Sequence, residues 1–208
     1  MDDIAHSAPV WAQWLLLVPL GIAVTVAVVT DWRERKIFNW LTYPTVIIGV
    51  VLSTVVFGWS GLLTGLLTPL GVIAIGLLIL PFGWLGGGDI KLFAAIGALV
   101  GPGALFEIAF YSVFVGFLLG LSISLVNGYL WEMLKRMGRF FRSLFLTIAT
   151  RTNITHEIET DERGYMPFAI PIFFGTLFAI TDAYLQWPLF MDWLRLSMLE
   201  LMLMLRGG

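Results

Sequence analysis

The sequence predicts an all-α, polytopic membrane protein with six transmembrane helices and a C-terminal interfacial helix. Composition is the first reason, since 59% of the 208 residues are hydrophobic and only 12% are charged. An average soluble domain is about 45–50% apolar and about 25% charged. The second reason is a series of apolar runs, several of them near the roughly 20 residues that cross a bilayer as a helix. Little chain remains for a separate soluble domain.

Six apolar runs define the predicted spans. They are Val10–Thr30, Trp40–Phe57, Leu62–Leu80, Ile90–Val100, Ala104–Leu130 and Pro167–Leu185. The first run follows an acidic flank and is too long for a signal-peptide core, which predicts a retained transmembrane helix. Gly58-Trp59-Ser60-Gly61 is predicted to form a turn, and Gly101-Pro102-Gly103 a tight breaker.

The fourth run is short. Eleven residues rise about 16 Å as a helix, against a hydrocarbon core of about 30 Å. Irregular backbone at depth is tolerated only beside protein or a water-filled cavity. We therefore predict that Gly86–Asp89 lines a wet cavity that opens to the cytoplasm.

Residues 1–187 are predicted to form one membrane-embedded domain, with a polar loop at 131–166 inserted into it and an amphipathic tail at 188–208. In the tail, Asp192–Arg206 fits an interfacial helix better than a seventh span. The loop mixes basic and aromatic residues, which favours a helix lying on anionic lipid over a docking element for a substrate or partner.

Basic residues predict the orientation. With the N-terminus outside, ten of the twelve Lys and Arg residues fall on the cytoplasmic side, and only Arg195 and Arg206 fall outside. This satisfies the positive-inside rule. Asp31 and Asp89 then lie at the same cytoplasmic face.

Composition also excludes several functions. A net charge of −2 argues against a nucleic-acid partner, and the absence of cysteine excludes disulfides, thiol catalysis and cysteine-ligated zinc. The two histidines, His6 and His156, lie outside the apolar runs. We therefore expect neither a metal site nor a cofactor.

Two aspartates are the candidate catalytic residues. A carboxylate near hydrocarbon is costly, on the order of 2.5–3.5 kcal/mol at the bilayer centre. Asp31 is the first charge after the first run, and Asp89 stands at the start of the fourth. Paired carboxylates cannot both ionise cheaply, so one keeps a proton while the other activates water. The alternative is structural, with Asp31 a charge that caps its span and Asp89 an N-cap.

Three motifs surround these acids. They are Asp31-Trp32-Arg33-Glu34-Arg35-Lys36-Ile37-Phe38-Asn39, Gly86-Gly87-Gly88-Asp89-Ile90-Lys91, and Tyr165-Met166-Pro167-Phe168-Ala169-Ile170-Pro171. Together they resemble the type IV prepilin peptidases, membrane aspartic proteases with a GxGDxK motif. The GxGDxK match is full, with Gly86 or Gly87 surplus, whereas Phe38 stands where that family usually has proline. The resemblance extends to about Leu185.

The resemblance implies a catalytic pair, Asp31 and Asp89, supported by motif residues Gly86, Gly87, Gly88, Lys91, Asn39, Pro167 and Phe168. It implies cleavage of a pilin precursor at the cytoplasmic face of the inner membrane, with pilus or secretion assembly proteins as possible partners. Without cysteine pairs, the chain resembles the short peptidase-only branch that serves tight-adherence (Flp) pili, which implies no methyl donor. Lys91 either orients Asp89 or marks the interface.

Two other functions stay open at this stage. Archaeal preflagellin peptidase is the close alternative, while a presenilin-like protease would need a Tyr-Asp motif within a span. From a different class, a small proton- or cation-coupled transporter would use Asp31, Asp89 and Glu107 as a path. A transporter predicts acids spread through the bilayer depth, whereas a peptidase predicts two acids at one depth. We expect Glu107 to be a packing residue far from the pair.

Overall fold

The computed structural model describes residues 9–80, 86–126, 128, 135 and 167–185. Within these ranges the fold is all-α, without a strand. Four helices follow one another: α1 (Val10–Glu34), α2 (Asn39–Ile79), α3 (Gly87–Val126) and α4 (Ala169–Leu185). α1, α2 and α3 are long and apolar enough to cross a membrane, and Ala169–Tyr184 is a shorter apolar helix.

Single glycines divide the two longest helices. Gly58 in α2 has φ 62° and Gly101 in α3 has φ 76°. These positive values lie outside the helical range, and glycine adopts them without a steric penalty. We call the resulting segments α2a (39–57), α2b (59–79), α3a (87–100) and α3b (102–126). The described residues of the bundle therefore form six helical segments, two pairs of which are each joined at a glycine kink.

The end of α3a shows how the break is stabilised. The last carbonyls of a helix lack intrahelical donors, and Pro102 has no N–H to offer. The Ser53 hydroxyl, from α2a, donates to the Ala98 carbonyl at 2.9 Å and to the Leu99 carbonyl at 3.4 Å. Ser53 is buried, so this polar contact joins two apolar segments away from solvent.

Close contacts between small residues show that α2 folds back on itself. A Cβ at Gly65 would lie 3.2 Å from the Cα of Val50, so α2b lies alongside α2a in the opposite direction. A Cβ at Gly76 would overlap Ile90 at the start of α3a, so the end of α2b lies beside the start of α3a.

α3b, α4 and α1 form the other half of the bundle. Gly175 of α4 lies against Ser112, and a Cβ at Gly116 would lie 3.3 Å from the Phe168 ring, so α3b and α4 are antiparallel. The interior between these segments is formed mainly by aliphatic side chains, among them Leu16, Ile108 and Ile172, which are fully buried.

This arrangement gathers the ends of the segments. The end of α1, both ends of α2, and the starts of α3 and α4 lie at one end of the bundle, while Gly58 and Gly101 turn the chain at the other. We call the first of these the motif end, because all three sequence motifs reach it. The fold therefore brings together residues that are far apart along the chain.

Several predicted boundaries are wrong in detail. α1 continues to Glu34, four residues beyond Thr30, and ends where Arg35 adopts φ 52° and its N–H donates to the Asp31 carbonyl. α3 begins at Gly87, so Gly87–Asp89 is helical rather than irregular. Each four- or three-residue breaker is reduced to one non-helical glycine, because the following residues already have helical geometry.

Two further sequence predictions concern residues that the structure does not describe. The loop at 131–166 lies outside the described residues except for Lys135, which is helical and exposed. The tail at 188–208 and its interfacial helix also lie outside them.

Candidate active site

Asp31 lies in the last turn of α1 and is 4% exposed. Its carboxylate oxygen Oδ2 accepts a hydrogen bond from the backbone N–H of Ala169 at 3.1 Å. Ala169 is the first residue of α4, so Asp31 binds the start of another helix. This bond joins the first and third motifs.

Asp89 lies in the first turn of α3. Its Oδ2 accepts a hydrogen bond from the Gly86 backbone N–H at 3.1 Å. Asp89 is therefore not the N-cap that the structural alternative predicted; it is the third helical residue, whose side chain reaches back to the residue before the helix, as in half of a capping box. This cap explains why a helix can begin within a run of three glycines.

Asp31 at the end of α1 and Asp89 at the start of α3 lie within electrostatic range of each other. The two acids come from different helices, and both lie at the motif end. Like charges in a desolvated site favour a shared proton over two ionised groups. The arrangement is thus chemically able to hold one acid and one base at the same place.

Lys91 and Asn39 connect the first and second motifs. The Lys91 ammonium Nζ donates to Asn39 Oδ1 at 2.9 Å. A Cβ at Gly88 would lie 3.1 Å from the Cβ of Ile37, so the short segment between α1 and α2 passes directly over the start of α3. Side-chain and backbone contacts therefore hold these two motifs against each other.

The three glycines before Asp89 differ in their surroundings. Gly86 provides the N–H that Asp89 accepts, and Gly88 allows the close approach of Ile37. A Cβ at Gly87 would meet nothing within 4 Å. Packing and hydrogen bonding therefore require a glycine least at position 87. Of the two glycines that could be surplus to the GxGDxK motif, the structure favours Gly87 over Gly86.

Pro167 and Phe168 precede α4, and Phe168 packs partly buried against the core. The residue that contacts the candidate acid is instead Ala169, through its backbone. Sequence reasoning did not select Ala169, because a main-chain N–H carries no residue identity. The available signal was its position directly after Pro-Phe at the start of an apolar run.

Five polar side chains lie away from the motif end. The Tyr111 hydroxyl donates to Asp182 at 2.6 Å, and the Tyr184 hydroxyl donates to Gln13 at 2.7 Å, near the opposite end of α1 and α4. Glu107 is buried on α3b. Among the described residues, no three acidic, histidine or cysteine side chains are grouped to hold a metal ion.

An apolar groove of about 510 Å³ opens beside Lys91. It lies between the two arms of α2 and α3a, and Thr42 and Tyr43 line it near the motif end. The groove therefore runs from the surroundings of the candidate site along the bundle.

Apolar helices long enough to span a bilayer, with Asp31 and Asp89 both at one end of the bundle, are the features of an integral membrane protein with an acidic site. A sequence profile of the type IV leader peptidase family matches residues 18–121, half of the chain, and the chain belongs to that family. The match includes Asp31, Asn39 and Gly86–Lys91 and ends before α4. Neither curated proteins nor solved structures provide a match.

Proposed function

We propose that this protein is a membrane aspartic endopeptidase that removes the leader peptide of type IV pilin-like precursors, with Asp31 and Asp89 as its catalytic pair. Family membership supports peptidase activity. The observation that supports the more specific proposal is that Asp31 and Asp89, from separate helices, lie at the motif end within electrostatic range of each other.

The proposed chemistry is general acid–base hydrolysis. The ionised aspartate accepts a proton from water as the water oxygen bonds to the scissile carbonyl carbon. The protonated aspartate donates its proton to the amide nitrogen, and the C–N bond breaks to release a carboxylic acid and an amine. The pair ends with one proton, now on the other aspartate, and exchange with solvent restores the starting state; the scheme uses no metal or cofactor. We also propose that the enzyme does not methylate its product.

We further propose six membrane crossings, one for each helical segment. α2a and α2b each contain about 20 residues and rise about 30 Å, which matches a hydrocarbon core. The motif end would then face the cytoplasm, where the positive-inside rule places most basic residues. Residues 1–187 would form the peptidase domain, in the inner membrane of a cell that exports pilins.

The groove beside Lys91 supports a substrate with an apolar segment. A precursor cleaved just before its hydrophobic helix would present its scissile bond at the membrane surface and its helix to the bilayer. Pilus or secretion assembly proteins are the partners that such a substrate implies.

The decisive experiment is co-expression of a pilin precursor with the wild type, Asp31→Asn or Asp89→Asn, with membrane levels of each variant measured. We expect both variants to insert normally and to lose cleavage by at least about 100-fold, the scale of removing a catalytic acid or base. Glu34→Gln is the matched control, because Glu34 is an exposed acid in the same turn of α1 as Asp31. Mass spectrometry of the product N-terminus tests the absence of methylation.

Cleavage that survives either aspartate variant would remove that residue from the chemistry. Survival in both would favour the transporter alternative, in which the acids conduct protons or cations. A preference for archaeal preflagellin over pilin precursors would favour the preflagellin peptidase alternative.

A further inference from the structure

The hydrogen bond from Ala169 of α4 to Asp31 is buried and joins distant parts of the chain. Donor and acceptor are separated by 138 positions in the chain, and both residues are almost entirely buried, Ala169 at 0% and Asp31 at 4% exposure. A hydrogen bond from an N–H to a carboxylate is among the stronger kinds, particularly away from water.

The sequence at the start of α4 leaves the Ala169 N–H available for this purpose. The first N–H groups of a helix have no intrahelical acceptors. Pro167 and Pro171 have no N–H, and the Ile170 N–H donates to the Pro167 carbonyl at 3.3 Å. The Ala169 N–H is therefore the first-turn donor directed at another helix, from the end that carries partial positive charge.

The start of α4 is itself held in place. Gly116 on α3b lies against Phe168 and Pro171, and Gly175, about two turns after Phe168, lies against Ser112. These contacts leave little room for α4 to shift along α3b. Helix packing therefore helps to hold the N–H in position in addition to its bond to Asp31.

We propose that the backbone N–H of Ala169 is a positioning donor that orients the Asp31 carboxylate for the reaction. The third motif then contributes to the site through its main chain, and its prolines serve to direct one N–H at the acid. Ala169 does not contact the reacting atoms in this scheme; it acts through Asp31. This inference rests on the proposed function, since it concerns an acid that we assign to catalysis.

The experiment replaces one amide by an ester. Nonsense suppression during cell-free translation into lipid nanodiscs can place lactic acid at position 169, which removes the N–H and retains the alanine side chain. The matched control is the α-hydroxy analogue of isoleucine at position 170, which removes the neighbouring N–H that donates to Pro167. Suppression with alanine at position 169 gives the reference enzyme.

We expect the ester at position 169 to lower kcat by about tenfold to 100-fold, as for loss of one hydrogen bond to a charged group, with KM within about twofold. The control ester should stay within about threefold of the reference in both constants. Each rate is divided by the folded fraction, which size-exclusion chromatography measures. Unfolded protein in a sample then does not lower the apparent kcat.

Two results would overturn the inference while leaving the proposed function intact. One is a kcat for the ester at 169 within about threefold of the reference; the other is an equal loss for both esters, which indicates a structural cap only. If the reference enzyme does not cleave the precursor, the proposed function fails, and the inference that rests on it fails too.

Discussion

Asp31 combines two properties that are rarely compatible, deep burial and a carboxylate group. Buried carboxylates are costly unless they are hydrogen-bonded or paired. The Ala169 N–H offsets part of this cost, and the Arg35 N–H, which donates to the Asp31 carbonyl, holds the main chain at the same point. The residue is therefore anchored through both its backbone and its side chain.

This anchoring predicts that two substitutions of Asp31 differ in stability. Asparagine retains an oxygen that can accept from the Ala169 N–H, whereas alanine leaves a buried donor unsatisfied. We expect Asp31→Ala to lower the free energy of unfolding by about 1–2 kcal/mol more than Asp31→Asn does. Unfolding in mixed micelles, followed by tryptophan fluorescence, measures the difference.

Glu34→Ala is the control for this comparison, since Glu34 is exposed in the same turn and a surface substitution changes stability by less than about 0.5 kcal/mol. Equal stability of the two Asp31 variants would show that the bond to α4 does not contribute to the fold. Both Asp31 variants should lose cleavage, so stability and activity separate the two roles of the residue.

At the scale of elements, the site depends on how helix ends are joined. Asp89 and Lys91 lie two residues apart at the start of α3, yet they have different partners: Asp89 accepts from Gly86 in its own motif, and Lys91 donates to Asn39 of α2. The sequence left two roles open for Lys91, to orient Asp89 or to mark the membrane interface. The structure shows a different contact, a hydrogen bond from Lys91 to Asn39 of the neighbouring helix.

The link between α2 and α3 predicts a coupled pair. We expect Lys91→Met and Asn39→Ala each to reduce cleavage by about threefold to tenfold, since a modest shift of α3 relative to the α1–α2 segment displaces Asp89. The double variant should be no worse than the more damaging single variant, because both remove one bond. Cleavage rates at saturating precursor measure the effect.

Lys36→Met is the matched control for the pair, because Lys36 is an exposed lysine in the segment between α1 and α2. Asn39→Asp should retain near-normal activity, since a carboxylate also accepts from Lys91. Losses that multiply in the double variant would mean that the two residues act independently.

At the scale of the whole molecule, the motif end lies opposite the end of the bundle at which Gly58 and Gly101 turn the chain. If every segment crosses the membrane, residues at the two ends lie on opposite sides. The chain has no cysteine, so a single introduced cysteine reports its own side without background. Ser60, beside Gly58, and Lys36, at the motif end, are both exposed.

We expect Ser60→Cys to react with an impermeant maleimide in intact cells, and Lys36→Cys to react only after the cells are permeabilised. The reason is the excess of basic residues on the motif side, which the positive-inside rule assigns to the cytoplasm. The opposite labelling pattern would invert the proposed orientation. Labelling of both residues in intact cells would contradict six crossings.

The sequence by itself determined the class of fold and the acids worth testing. Apolar runs of about 20 residues cross lipid as helices, which satisfy their own backbone hydrogen bonds. An all-α protein therefore follows without knowledge of packing. Asp31 and Asp89 are conspicuous because charged groups next to apolar runs are costly. These inferences depend on residue identity and short-range spacing, both of which are visible in one dimension.

Only the tertiary structure decided how the motifs meet. The bond from Ala169 to Asp31 and that from Lys91 to Asn39 join residues 138 and 52 positions apart. Neither follows from local pattern, since each depends on which helices pack together and on a main-chain donor that no residue type marks. The start of α3 within three glycines likewise required a cap, supplied by the Asp89 side chain once its helix had formed.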